Sequence, residues 1–211
     1  MQPLTLFLAR HGDSISNYQN IFIGRSVDPP LTEKGLQQAK SLARSLKQKS
    51  IQAIFSSTLI RAKQTANIIA DELKLPVVYS EDLIEVGLGL LDGHDIGNRA
   101  FLSVYENMVT NWERGYPFVR IREGESLIDI KERLERFFDT NIFNNHFDGP
   151  VLLVGHAILW MSLIWIFCEN HPNDINDGFM KKTHLSVISG IKGAFSLEKF
   201  NLDHKKVLSL K

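Results

Sequence analysis

The sequence predicts an α/β fold built on a largely parallel sheet. Three observations carry this. Apolar runs at residues 4–9, 51–55 and 151–154 have the length of buried strands. Stretches with helical apolar spacing follow each of them. A chain that alternates strands with helices covers both faces of one sheet.

The elements can be justified in order. The first run, Leu4 to Ala9, leads into Arg10-His11-Gly12, so this triplet lies where a strand opens into a loop. In open α/β sheets ligands collect at such C-terminal strand ends. After Thr32, Leu36, Ala39, Ala43 and Leu46 stripe a first helix. The run at 51–55 leads into Ser56-Ser57-Thr58, read as a helix start, and Leu59, Ala62, Ala66, Ile69 and Leu73 recur at helical spacing. Residues 76–79 form a short strand. In the middle stretch Ala100, Phe101, Val104, Met108 and Trp112 predict one amphipathic helix. Ser126, with Asp129 at the capping-box position, opens a helix striped by Leu127, Ile130, Leu134 and Phe137. The buried run at 151–154 ends in Gly155-His156-Ala157, and 157–167 is an apolar helix well short of the roughly 20 residues a membrane span needs. Residues 185–190 and 194–200 alternate around Lys192-Gly193 and predict a hairpin.

The residue types at these positions point to phosphoryl chemistry. The fork of donors on Arg10 suits phosphate, a histidine held in one tautomer is a nucleophile, and glycine lets backbone amides approach an anion. Arg61 lies in the first turn of a helix, where a cation is unfavourable unless an anion binds beside it. Glu85 stands ahead of the glycine-rich residues 87–93.

Jointly these segments resemble the histidine phosphatase superfamily, the phosphoglycerate-mutase-like family, over most of the chain and in the family's order. Arg10-His11-Gly12 resembles the signature of the nucleophilic histidine, and Asn17 matches the asparagine that follows. Residues 24–35 resemble the segment ending in Pro-Leu-Thr and a glycine, and 56–66 the segment with a second phosphate arginine. Glu85 with Gly89 and Gly93 matches the acid and its spaced glycines. Gly124-Glu125-Ser126 resembles a short motif opening a later helix, and Gly155-His156 the second histidine. Leu91 replaces a frequent tryptophan, Ala157 a frequent glycine, and Ile15 and Ser16 the usual residues before Asn17. These departures touch the shape of the pocket and remove no charged group.

The resemblance implies a three-layer α/β/α sandwich with a mixed, mostly parallel sheet, in one domain over residues 1–211 with a cap-like insertion at about 86–122. It implies a metal-independent phosphatase, without cofactor, acting on a small phosphorylated metabolite through a phosphohistidine. His11 is the expected nucleophile and Glu85 the acid. Arg10, Arg61 and a protonated His156 hold the phosphoryl group, and Asn17, Gly24, Gly12 and Ala157 complete the cradle. Two other readings stand beside it, a phosphoglycerate mutase and an inactive phosphate-binding module. Mutases of the family carry an Arg-His-Tyr-Gly run after the acid, whereas Val86-Gly87-Leu88-Gly89 follows here, with no positive charge until Arg99.

Composition bounds the rest. Lys and Arg total 24 against 24 Asp and Glu, so bulk electrostatics give no footing for nucleic acid. The single cysteine, Cys168, excludes an internal disulfide and fits a reducing compartment. No signal peptide or membrane span is expected, which predicts a cytoplasmic protein. The C-terminal strands offer an edge through which two copies could pair. Arg25, Arg120 and Arg122 are candidate readers of a substrate carboxylate or second phosphate, weighed against free solvated arginines.

Overall fold

The computed structural model describes residues 3–15 and 20–210. Asn17 lies outside the described residues. The elements are β1 (Leu4–Arg10), α1 (Glu33–Leu46), β2 (Ala53–Ser57), α2 (Ile60–Leu73), β3 (Val77–Ser80), α3 (Arg99–Glu113), α4 (Leu127–Phe137), β4 (Val151–Gly155), α5 (Ala157–Phe167), β5 (Leu185–Ile191), β6 (Ala194–Leu202) and α6 (His204–Leu208). One six-stranded sheet runs β3-β2-β4-β1-β5-β6. β3, β2, β4 and β1 are parallel, whereas β5 and β6 are antiparallel to their neighbours. This is the mixed, mostly parallel sheet expected.

Strand alternation sends successive side chains to opposite faces, and β1 shows the division. Phe7 and Ala9 join Leu42, Ala66, Ile69 and Val207, and so pack beneath α1, α2 and α6. Leu6 and Leu8 join Met108, Trp112, Leu134 and Leu163, beneath α3, α4 and α5. The three layers follow directly from these two separate cores. α6, capped by Asp203, had no counterpart in the sequence reading, because a five-residue helix shows too little periodicity.

Local side chains cap α1 and α4, and a distant one caps α2. Thr32 caps α1 as expected, accepting from the Gly35 amide. Ser126 and Asp129 form the expected capping box on α4. α2 departs from expectation. Its N-cap is Leu59, with no side-chain cap of its own. Ser57 turns to the Leu59 amide instead, and the Ile60 amide is satisfied by both carboxylate oxygens of the distant Asp28, at 2.8 and 2.9 Å.

α3 buries Met108, Val109 and Trp112, and the indole of Trp112 donates to the Val119 carbonyl at 2.7 Å. Val104, expected on the buried stripe, is 46% exposed. The apolar face is rotated toward Phe101, Leu102 and Tyr105. Residues 88–91 lie against 121–124, where the Leu90 amide donates to the Arg122 carbonyl at 3.1 Å. Gly89 has φ +54° there, and a Cβ would lie 2.0 Å from the Arg122 oxygen. Among the described residues no helix is long and apolar enough to cross a membrane.

Candidate active site

Sheet register brings the two histidines together. Arg10 pairs with Gly155 at the parallel ends of β1 and β4, and the His11 amide extends the ladder to the Gly155 carbonyl at 3.0 Å. Each histidine is the next residue beyond that pair. Their ring centroids are consequently 5.2 Å apart at an interplanar angle of 58°. Residues 145 positions apart in sequence thus share one buried well, His11 4% exposed and His156 fully covered.

The tautomer of His11 is fixed by its neighbour. Nδ1 lies 2.7 Å from the Gly12 carbonyl, which only accepts. Nδ1 therefore carries the proton, and Nε2 presents a lone pair. Burial, followed by Arg61 and Arg10, holds the ring well below the usual histidine range, so it is neutral near pH 7. The Gly12 amide does not join an anion cradle as anticipated, since it donates to Thr65 Oγ1 at 3.1 Å. Glycine is required at 12 for close approach to α1, because a Cβ would meet the Gly35 oxygen at 2.7 Å.

Burial, then Arg61 and His11, also hold His156 well below its ordinary range. Burial and the two nearby guanidinium groups thus make the charged ring unfavourable, so the protonated His156 expected from the sequence requires an anion beside it. Nε2 lies 2.7 Å from Ser57 Oγ, and Nδ1 has no hydrogen-bond partner among the described residues. Ser57 was read from sequence only as a helix-start residue.

Arg10 donates from Nη1 to the Met180 carbonyl at 2.6 Å and lies over the Phe179 ring, 4.9 Å from its centroid. Burial lowers its pKa to about 10, leaving it charged at neutral pH. Arg61 is 1% exposed. Its Nη1 donates to Val27 O at 3.1 Å and Asp28 at 3.3 Å, and its Nη2 to Gly24 O at 3.0 Å. Loop 24–28 thus holds the arginine in place. Gly24, expected to touch substrate, serves this purpose instead: its carbonyl accepts from Arg61 and its amide donates to Asp92 at 2.6 Å. The Nε atoms of Arg10 and Arg61 have no partner. Among the described residues, three of the five buried side-chain atoms without a hydrogen-bond partner are these two Nε and His156 Nδ1. Buried donors without acceptors are costly; an oxyanion would satisfy the two Nε–H groups, and His156 Nδ1 as well once that nitrogen carries a proton.

Glu85 is buried against the N-terminus of α5. Oε1 accepts from Val86 at 2.9 Å and Leu159 at 2.8 Å, whereas Oε2 has only the longer 3.3 Å bond from Ile158. Burial raises its pKa, opposed by the Val86 amide, Arg61 and the two helix amides. Oε2, the less occupied oxygen, is the one with room for a proton. Ala157 is the first residue of α5 and is buried at the same helix N-terminus.

Comparison with known proteins identifies the family. The sequence model of the histidine phosphatase superfamily (branch 1) matches residues 6–203. A protein of Yersinia pestis (strain Pestoides F) named probable phosphoglycerate mutase GpmB is 34% identical over 155 residues, covering 74% of this chain and 70% of its own. The mycobacterial glucosyl-3-phosphoglycerate phosphatase Rv2419c in complex with VO3 superposes with a TM-score of 0.78 at 25% identity, covering 95% of this chain and all of that one. Bacillus stearothermophilus YhfR gives a TM-score of 0.76 at 27% identity, covering 95% and 98%. A phosphoglycerate mutase of Bacillus anthracis str. Sterne shares the fold, with a TM-score of 0.76 at 21% identity, covering 97% and 95%. With facing histidines, buried arginines and this match over nearly its whole length, the chain belongs to the histidine phosphatase superfamily, branch 1.

Proposed function

We propose that the protein hydrolyses a small phosphate monoester through a phosphohistidine on His11. The observation that carries this is the fixed tautomer of His11, whose Nε2 lone pair lies in a well shared with His156 and with orphaned donors of Arg10 and Arg61. Nε2 attacks phosphorus, and the bond from phosphorus to the ester oxygen breaks. Glu85 gives its proton to the departing alkoxide. Arg10 and Arg61 hold the non-bridging oxygens, and preorganised positive charge of this kind is where most phosphoryl-transfer catalysis lies. His156 takes up a proton as the dianion enters, because an adjacent anion favours the charged ring. In the second half Glu85, now a carboxylate, takes a proton from water; the water oxygen attacks phosphorus, the P–N bond breaks, and phosphate leaves.

Hydrolysis is favoured over mutase transfer by the run after the acid, where Val86-Gly87-Leu88-Gly89 brings no positive charge. A mutase must grip the carboxylate of phosphoglycerate. Arg25 is paired with Glu125, Arg120 with Asp129 at 3.1 Å and Arg122 with Glu123 at 3.7 Å. The names of the relatives most similar in sequence favour the mutase reading, so both substrates belong in one assay. The wild type should release phosphate from p-nitrophenyl phosphate, and His11→Ala should not. Rapid quenching should trap an acid-labile, base-stable phosphoprotein. Conversion of 3-phosphoglycerate to 2-phosphoglycerate without phosphate release would replace hydrolysis with mutase transfer.

A further inference from the structure

A part-buried ion cluster beside Glu85 is used by none of these steps. Glu125 accepts from Arg133 at both oxygens, Nε to Oε1 at 3.0 Å and Nη2 to Oε2 at 3.2 Å, and also pairs with Arg25. Among the described residues, its remaining hydrogen bonds fall on the segment that carries Glu85. Its Oε2 accepts from the Gly87 amide at 3.0 Å, and its own amide donates to the Gly87 carbonyl at 2.8 Å. Arg25 Nε donates to the carbonyl of Glu85 itself at 2.8 Å. Arg133 Nη1 donates to the Asp82 carbonyl at 2.6 Å. One carboxylate and two guanidinium groups thus grip residues 82, 85 and 87. The acid has no regular secondary structure to hold it, since it lies between a 3₁₀ turn at Glu81–Leu83 and another at Gly89–Leu91.

We propose that Glu125 is a positioning residue for the acid Glu85, acting through Arg25 on the Glu85 carbonyl and directly on the Gly87 backbone. The inference rests on Glu85 serving as the proton donor. The amides of Val86, Ile158 and Leu159 hold the carboxylate itself, whereas the cluster fixes the backbone that carries it; without the cluster the carboxyl shifts relative to the ester oxygen. Loop 24–28 joins the two halves of the site: the same loop that gives Gly24 and Val27 carbonyls to Arg61 sends Arg25 to Glu85. Phosphate binding and proton donation are thereby set by one frame.

The test is leaving-group dependence, which a general loss of structure would not produce. An alkyl phosphate such as β-glycerophosphate needs the proton, and p-nitrophenyl phosphate barely does. General acid help is worth about 10²–10⁴-fold, so Glu125→Gln should lower kcat/KM, which excludes the later phosphohistidine hydrolysis, about 10–100-fold on the alkyl ester and less than about threefold on the aryl ester. Glu85→Gln should show the same pattern more strongly, and the double variant should be no slower than Glu85→Gln. Arg25→Lys, at a partly exposed position, keeps the charge but loses the fork, and should repeat the pattern even where Glu125→Gln does not fold. If Glu125→Gln and Arg25→Lys slow both esters equally beside a leaving-group-dependent Glu85→Gln, the positioning role is overturned and the acid stands. Equal losses for Glu85→Gln overturn the acid and this role with it.

Discussion

Ser57 Oγ stands 2.7 Å from His156 Nε2 and also accepts the Leu59 amide at 3.2 Å. The serine ties the second histidine to the start of α2, the helix that carries Arg61. It thereby sets which nitrogen of His156 is left toward the space between the rings and the arginines. With Nε2 engaged, Nδ1 is left for an oxyanion. Ser57→Ala should lower kcat/KM for p-nitrophenyl phosphate about tenfold, in line with the loss of a hydrogen bond of about 1.5 kcal/mol to a group that becomes charged. Inhibition by vanadate should weaken in parallel, because both depend on the same ring. Unchanged kinetics beside unchanged vanadate inhibition would show that His156 needs no such support.

Acid should weaken the fold through its two buried imidazoles. Burial, with Arg61 next, holds His11 and His156 well below the ordinary value near 6.5. Below that value the unfolded rings take up protons that the folded rings refuse. The unfolded state then binds more protons, so stability falls as pH drops below about 6.5, by at most about 1.4 kcal/mol per pH unit for each ring. Above that pH neither ring contributes a slope. Glu85 has the opposite sign: its raised pKa means that the folded state binds the extra proton between the ordinary carboxyl value and its own. Urea melts between pH 8 and 5.5 should show the decline, and His156→Gln should make it shallower. Saturating inorganic phosphate should flatten it too, since the bound dianion lets His156 accept a proton. A stability that rises steadily toward pH 5.5 would place both rings in the charged form.

Two glycines hold the loop that carries His11 against α1. A Cβ on Gly35 would lie 2.0 Å from the Asp13 carbonyl oxygen, and one on Gly12 would lie 2.7 Å from the Gly35 oxygen. Both contacts are with backbone, which cannot swing aside as a side chain does. Gly35→Ala should therefore cost about 3 kcal/mol or more in urea unfolding, the upper range for overpacking. The loop it displaces carries His11, so the residual folded protein should also lose activity. A midpoint within error of wild type would mean that the α1 N-terminus shifts freely.

What the sequence could reveal differed between the fold and the site. Strand ends were legible, because the buried runs stop at Arg10, Ser57 and Gly155, and parallel pairing then sets His11 beside His156. Arg61 and Glu85 were legible by type. Their supports were not. Asp28 caps α2 from 32 residues away and Asp92 reaches Gly24 across 68, and neither spacing has a period. Arg133 sits on the expected stripe side of α4 yet reads from sequence as one more surface charge among its neighbours. Only its 7% side-chain exposure and its two bonds to Glu125 distinguish it. Long-range polar partnerships of this kind depend on tertiary placement, which local patterning does not encode.

The outer arginines supply the sharpest discrimination between hydrolysis and transfer. Arg120 and Arg122 have half or more of their side chains exposed, and their acid partners are similarly accessible. Exposed pairs are worth about 0–1 kcal/mol, so either guanidinium is released at little cost if a substrate carboxylate arrives. If hydrolysis of a singly anionic ester is the reaction, neither arginine meets substrate. Arg120→Ala and Arg122→Ala should then change kcat/KM for phenyl phosphate and for 3-phosphoglycerate by less than about twofold, with stability altered by at most about 1 kcal/mol. A mutase would behave differently. Gripping a carboxylate through a charge-assisted hydrogen bond is worth about 1.5–3 kcal/mol, so loss of the reading arginine would lower kcat/KM for 3-phosphoglycerate about tenfold or more and spare phenyl phosphate. Steady-state kinetics on the two substrates with these two variants therefore separates the activities even where both reactions proceed at measurable rates in the wild type.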